Sequence, residues 1–296
     1  MTTRKRLAIL GGDLRQIALA NALTERGYSV FVWGLGRCET RLKGSQICKT
    51  WQDAIRDADA VILPLPASQD GVRLNCPLES SDLFVRMTAL IDSIPPDTCI
   101  LGGRLTETVL ELAATHGLQI VDYFSSESLQ LRNAVPTAEG AIAIAMRELP
   151  VTLDGSVAAV LGYGRIGKLL ADKLRALGVD VTVLARRREA LAEAQTHHHR
   201  TGSISPPCLP EGCRVVFNTV PQWILNAEAL ASVPDDCVLI DLASAPGGID
   251  LGAAQARGLR CVWGTALPGK CTPETAGKIL ALTVCELLED PSSPLA

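Results

Sequence analysis

Short aliphatic runs alternate with longer stretches whose apolar positions recur every three or four residues, and this rhythm is played twice along the chain. In the first half it predicts strands at Leu7–Leu10, Ser29–Trp33, Ala60–Leu63, Cys99–Leu101 and Gln119–Val121, and helices at about Leu14–Arg26, Asp82–Ile94 and Thr106–Gly117. Between Asp122 and Leu149 the rhythm stops. There Pro136-Thr137-Ala138-Glu139-Gly140 leads into a helical run, Ala141–Leu149, read as a bridge. The second half resumes with a strand from Val157, a helix Lys168–Leu177, and strands at Val179–Leu184, Val215–Asn218, Val238–Leu242 and Arg260–Trp263. Thr272 as N-cap with Pro273 at the first helical position opens a last helix to about Leu288, and the tail Asp290–Ala296 is expected to fray. Uniformly apolar strands alternating with helices predict an α/β chain of two Rossmann-like, doubly wound parallel-sheet domains joined by a helical bridge. The expected limits are 1–133 for an N-terminal substrate domain and 134–272 for a nucleotide-binding domain that includes the bridge. Residues 273–290 are expected to form a helix packing back across the domains.

One turn changes this from a fold to a candidate chemistry. Gly162-Tyr163-Gly164-Arg165-Ile166-Gly167 follows an apolar strand and opens a helix, the context in which G-x-G-x-x-G binds a dinucleotide. The first glycine permits the turn, the second lets a pyrophosphate approach the backbone, and the third lets helix pack on strand. The helix start then offers free N–H groups and a positive dipole end. The following strand ends in Ala185 and Arg186-Arg187-Arg188, without the acid that takes a ribose 2′-hydroxyl in NAD sites. Arg186 and Arg187 suit a 2′-phosphate, so the expected cofactor is NADP, the alternative being a solvated basic helix start. The opening turn of the first half, Gly11-Gly12-Asp13-Leu14-Arg15-Gln16, lacks the three-glycine spacing. It reads as a turn that has lost the dinucleotide but could hold a small anion beside Arg15.

Ligands of open α/β sheets sit beyond the carboxyl ends of the strands. In the second half those ends carry Asn218-Thr219-Val220-Pro221, Asp241-Leu242-Ala243-Ser244 and Ala266-Leu267-Pro268-Gly269-Lys270. The first two are candidates to line the cofactor through Asn218, Thr219, Val220, Pro221, Asp241, Leu242 and Ala243.

Composition narrows the setting. The chain has 296 residues, a net charge of −4 and scattered basic residues, so no nucleic-acid face is expected. No apolar run is long enough for a membrane span, and the opening Met-Thr-Thr-Arg-Lys-Arg precedes too short an apolar stretch for a signal peptide. A cytoplasmic protein is expected. The ten cysteines include no C-x-x-C pair and read as buried free thiols. The run His197-His198-His199 is read as a solvated loop, because Gly202 and Pro206-Pro207 follow and no acid or cysteine stands at ligand spacing. No metal is expected.

Taken in order, several pieces resemble the A component of dipicolinate synthase. They are Gly11-Gly12-Asp13 with Arg15-Gln16, Pro136-Thr137-Ala138-Glu139-Gly140, Leu161-Gly162-Tyr163-Gly164-Arg165-Ile166-Gly167, Asn218-Thr219-Val220-Pro221, Ile240-Asp241-Leu242-Ala243-Ser244 with Pro246-Gly247-Gly248, and Leu267-Pro268-Gly269-Lys270 followed by Pro273, Thr275, Ala276 and Gly277. The resemblance spans nearly the whole chain, although Arg37–Asp59 and the histidine run carry no family motif. It implies NADP-linked oxidation of dihydrodipicolinate, or its hydrated precursor, to dipicolinate. It also implies partnership with a flavoprotein-like B subunit, homo- or hetero-oligomeric assembly, and action in the mother cell during sporulation. Aromatising a dihydropyridine dicarboxylate removes one hydride and one proton, so the protein needs orientation, charge partners for two carboxylates and a proton acceptor. Glu139 is the candidate acceptor, with capping of the bridge helix as its alternative role. Lys270, after a Pro-Gly turn, and Arg15, with Asp13, are candidate substrate contacts. Thr137 and Ser244 are candidate hydrogen-bonding groups, or turn stabilisers. Two other readings stay open: a 2-hydroxyacid or amino-acid dehydrogenase, which wants a late histidine that this chain lacks, and a non-catalytic nucleotide-binding regulatory subunit.

Overall fold

The computed structural model describes residues 5–80 and 84–289. Asp82 and Leu83, where a predicted helix was to begin, and the tail from Asp290 lie outside the described residues. In chain order the elements are β1 (Arg6–Leu10), α1 (Leu14–Glu25), β2 (Ser29–Trp33), β3 (Gln46–Ile47), α2 (Trp51–Ile55), β4 (Ala60–Ile62), α3 (Met87–Asp92), β5 (Cys99–Gly102), α4 (Glu107–Thr115), β6 (Ile120–Asp122) and α5 (Glu127–Glu148). There follow β7 (Val157–Leu161), α6 (Arg165–Ala176), β8 (Asp180–Ala185), α7 (Arg188–Thr196), β9 (Arg200–Ser203), β10 (Cys213–Asn218), α8 (Ala227–Leu230), β11 (Val238–Asp241), α9 (Leu251–Ala256), β12 (Arg260–Trp263), α10 (Leu267–Cys271) and α11 (Pro273–Glu289).

The strands form two six-stranded sheets, ordered β3-β2-β1-β4-β5-β6 and β12-β11-β10-β7-β8-β9, with every ladder parallel. Numbered from its own first strand, each sheet has the dinucleotide-binding order 3-2-1-4-5-6. These are the two Rossmann-like sheets expected. Helices cover both faces of each sheet, so central strands such as Leu7–Leu10 and Ala158–Leu161 are buried throughout. The chain divides into two compact units. One runs to Asn133 and resumes at Thr272; the other is Ala134–Cys271, so the division falls within α5.

In the first unit, one sheet face packs on α1 and α11, and the other on α2, α3 and α4. Helix α1 is buried nearly all round, because it lies between the sheet and α11. The two helices can approach closely because Gly277 has no side chain. A Cβ there would stand 2.5 Å from the Ala18 Cβ and collide with the Arg15 carbonyl oxygen. In the second unit, α5, α6 and α7 cover one face while α8 and α9 cover the other. Here Gly140 plays the same part, since its Cβ would lie 2.9 Å from Leu267 Cβ on α10.

Several local expectations need correction. The bridge helix begins at Glu127 and carries Pro136 inside it, not after a break. An internal proline costs about 3 kcal/mol, and burial of Ala138, Ala141, Ile142 and Ala145 in the core offsets it. Lys270 does not follow an open turn: Leu267–Cys271 is a helical turn whose Lys270 N–H donates to the Ala266 carbonyl at 3.1 Å. At the start of α11, the carbonyl of Thr272 accepts the first helical bond, but its hydroxyl caps nothing. The strands β3 and β9 and the helices α2, α8 and α9 are too short for periodicity to show.

Replacing Gly277 by Ala is expected to lower stability by about 1–3 kcal/mol, read as a fall in the urea midpoint. Gly252→Ala on α9 is the control. Its Cβ would meet only Asp250 Oδ1 at 3.5 Å, so stability should hold or rise by up to about 1 kcal/mol.

Candidate dinucleotide and substrate sites

In the second unit, β7 delivers the chain into the glycine turn. The Gly162 N–H donates to the Leu184 carbonyl of β8 at 2.8 Å, which holds the turn beside the end of that strand. Gly162 has φ +93°, and a Cβ there would lie 2.5 Å from Thr219 Oγ1. Gly164 occupies the N-cap of α6, offers no side-chain cap, and a Cβ on it would meet no protein atom within 4 Å. Gly167, one turn into α6, faces the Gly162 carbonyl oxygen so closely that no side chain fits. The turn is therefore tight where it bends, open where a diphosphate would approach the backbone, and close-packed behind. These residues fit a dinucleotide. Arg165 starts the helix, and Ile166 packs against the core.

The corresponding turn of the first unit matches at its hydrogen bond to the next strand and at its N-cap, but Gly12 takes φ +93° where Tyr163 has no left-handed φ, and its occupant differs. Gly11 N–H donates to the Trp33 carbonyl at 2.8 Å, as Gly162 does to Leu184. Asp13, with φ −103° and ψ −164°, matches Gly164 at −95° and −161°. The Asp13 carboxylate fills the helix start: it accepts from the Arg15 N–H at 2.9 Å and from the Arg15 guanidinium at 2.9 and 2.8 Å. Arg15 is buried and also donates to the Leu65 carbonyl, while Gly12 N–H is taken by Asn75. Gln16 stands where Gly167 stands in the other unit, its side chain against Gly12. This helix supplies its own anion, so an incoming carboxylate would have to displace Asp13.

The strand-end residues of the second unit form a braced rim. Buried Asn218 donates through Nδ2 to Asp241 Oδ1 at 2.8 Å and to the Val220 carbonyl at 3.0 Å, and accepts from Val220 N–H at 3.1 Å. Asp241, also buried, accepts from Ala243 N–H at 3.0 Å and Gly248 N–H at 2.8 Å. Leu242 N–H donates to the Asn218 carbonyl, and Thr219 Oγ1 to Leu161 at 2.8 Å. Trp263 Nε1 ties down the Ala243 carbonyl at 3.1 Å. Asn218 and Asp241 thus spend their polar atoms on each other and the backbone; they shape the loops at the strand ends. Pro221 and Ser244 are exposed on those loops.

The remaining candidates are dispersed. Arg186 and Arg187 are exposed between β8 and α7, and neither makes an ion pair among the described residues. Glu139 caps nothing: it sits inside α5, half-exposed, with its carboxylate 2.9 Å from Lys173 Nζ. Lys270 is exposed on α10, and Thr137 is buried on α5. No hydrogen bond or ion pair joins Glu139 to Lys270 among the described residues. A separate cavity of about 250 Å³ opens in the first unit at the end of β2, lined by residues including Trp33, Glu39, Lys49 and Ser80.

Of the histidine run, His197 and His198 are exposed, as expected, but His199 is not. The His199 side chain is fully buried, with Nε2 2.8 Å from Asp172 Oδ1, and His197 Nδ1 lies 3.3 Å from the other oxygen. Beside it Tyr163 is buried, and burial, reinforced by the carboxylates of Asp172 and Glu193, pushes its phenol up to about 12. No local pattern announces this cluster, since Asp172 and His199 are 27 positions apart.

Two parallel sheets of dinucleotide-binding order, one with an open glycine turn, define a dehydrogenase-type protein that binds a nicotinamide nucleotide. Known proteins agree with that class. The D-isomer specific 2-hydroxyacid dehydrogenase NAD-binding domain matches residues 129–247, and the N-terminal domain of the dipicolinate synthase A component matches residues 6–124. The chain is 30% identical to the dipicolinate synthase A component of Bacillus subtilis, over 98% of each protein. It is also similar to the crystal structure of that component from Bacillus halodurans, with 28% identity, a TM-score of 0.87, and 98% and 100% of the two chains covered. A transhydrogenase from Sinorhizobium meliloti shares the fold, with 15% identity, a TM-score of 0.68, and 98% and 97% coverage. The chain belongs to the family of dipicolinate synthase A components.

Gly164→Ala adds a methyl that touches no protein atom, so the fold should survive while dinucleotide affinity falls by at least about tenfold, 1.4 kcal/mol. Gly167→Ala should instead destabilise the protein. Coenzyme titration and thermal melting of both variants check this, and an unaltered dissociation constant in Gly164→Ala would place the diphosphate elsewhere.

Proposed function

We propose that this chain is the NADP-linked catalytic subunit that oxidises dihydrodipicolinate, or its hydrated precursor, to dipicolinate. The observation that carries this is the open glycine turn of the second unit, in a chain that matches a dipicolinate synthase component along 98% of its length. The reaction removes one hydride and one proton from a ring bearing two carboxylates. A bound nicotinamide supplies the hydride acceptor. The chain's own residues do the rest.

The Gly162–Gly167 turn and the start of α6 hold the diphosphate. The preference for NADP over NAD is supported by two unpaired guanidiniums, Arg186 and Arg187, at the end of a strand with no acid. The hydrogen bond from the turn to Leu184, near the end of that strand, supports a ribose position beside the arginines. Asn218 and Asp241 keep the loops at the strand ends in one shape, with Thr219, Val220, Pro221, Leu242 and Ala243 lining them. Glu139, steadied by Lys173, accepts the proton. Lys270 takes a substrate carboxylate, Ser244 and Thr137 add hydrogen bonds, and Arg15 takes a carboxylate only in exchange for Asp13. Because the Bacillus subtilis relative is one component of a synthase, its B counterpart is the partner expected here. The family supports a role in the mother cell of a sporulating bacterium, and no described helix is long and apolar enough to cross a membrane.

Replacing Arg186 and Arg187 with Ala should raise the NADP dissociation constant at least tenfold, about 1.4 kcal/mol, and leave NAD nearly unaffected; equal effects on both would refute the 2′-phosphate assignment. With its partner and a source of dihydrodipicolinate, the protein should change nicotinamide absorbance. Lys270→Ala should slow substrate use while sparing coenzyme binding. Coenzyme binding without any absorbance change would favour a regulatory role.

A further inference from the structure

The buried histidine has a carboxylate on one side and an unsatisfied atom on the other. Asp172, on α6, receives His199 Nε2 at 2.8 Å, which places the ring hydrogen on that nitrogen. In this tautomer Nδ1 is an acceptor. It is buried and has no partner among the described residues, and the same is true of the Tyr163 hydroxyl, a donor. The two rings meet edge to face, with centroids 6.2 Å apart and planes at 70°. The Lys168 ammonium lies 5.7 Å from the Tyr163 ring centroid and is tied to Glu193 at 2.6 Å. Buried polar atoms of complementary type are costly apart and satisfied together.

Tyr163 is also the residue between the first two glycines of the dinucleotide turn. Its ring is the only side chain through which that stretch, Gly162 to Gly164, is anchored to the protein behind it. We propose that His199 is a positioning residue for the dinucleotide turn: pinned by Asp172, it accepts the Tyr163 hydroxyl through Nδ1 across one water, and thereby fixes the backbone that receives the diphosphate. No proton is transferred; Tyr163 donates to the water, the water donates to His199 Nδ1, and His199 Nε2 donates to Asp172. The inference rests on the reading that this turn binds a dinucleotide, and adds to it the residues that set the shape of the turn.

The test compares the full-length protein with Tyr163→Phe, His199→Gln and the double variant, measuring the dissociation constant for the reduced coenzyme by its fluorescence, and the thermal midpoint. Each single change should weaken binding about fivefold, and the double variant should bind no more weakly than the worse single, because both remove the same link. A purely packing role would lower the midpoint and leave the dissociation constant where it was; that result overturns the proposal, as do two effects that simply multiply. Should His199→Gln fail to fold, Tyr163→Phe, which removes one buried oxygen, decides alone. Nitrogen resonances of His199 give a reading independent of the coenzyme: a protonated Nε2 with a hydrogen-bonded Nδ1 is expected, and the opposite tautomer overturns the proposal. If the unaltered protein binds no coenzyme, the dinucleotide reading falls and this inference with it. If it binds and the variants bind equally well, this inference alone falls.

Discussion

A helix that starts where a parallel strand ends presents unpaired N–H groups and the positive end of its dipole, and something must satisfy them. Both units face this demand with a matching N-cap backbone, and they answer it differently. In the first, Asp13 folds its carboxylate onto the helix start and recruits Arg15, so the position is closed by the chain itself. In the second, Gly164 leaves the same place bare. The N-cap residue is thus one position at which the two units part, Gln16 in place of Gly167 being another. At the strand ends of that unit, the Asn218–Asp241 pair holds the loop backbone in one shape.

The motifs that carry the family resemblance divide by physical role. Gly277 and Gly140 are points of contact between elements, not chemistry: each removes a side chain where another element crosses. Gly264 does the same against Leu242 and Ile144. A motif can thus be specific to a family because two backbones touch there. Glu139, beside Gly140, and Lys270, on α10, stay near the surface.

Much of the fold was legible because a parallel sheet buried on both faces writes itself as runs of aliphatic residues; β2 was read to the residue, and so was β12, although that edge strand is only half-buried. The glycine turn was legible because its requirements are local. What stayed hidden depends on partners remote in the chain. Pro136 looks like a stop and is carried inside α5 by the core packed around that helix. Lys270 looks like the tip of a turn and lies on a helical turn packed against Gly140. His199 stands in a run of three histidines that composition marks as solvated, and Asp172, 27 positions earlier, makes it part of the interior. Asp13 and Arg15 were visible as neighbours, but not that each would consume the other.

Because α11 returns to α1 and fills one face of the first sheet, the opening 130 or so residues lack a wall until the end of the chain exists. The second unit is one uninterrupted stretch and needs nothing from either terminus. During translation the segment made later is therefore complete first, and the earlier segment leaves the ribosome with α1 bare on the side that α11 will cover, around Ala18, open to whatever chaperone is at hand.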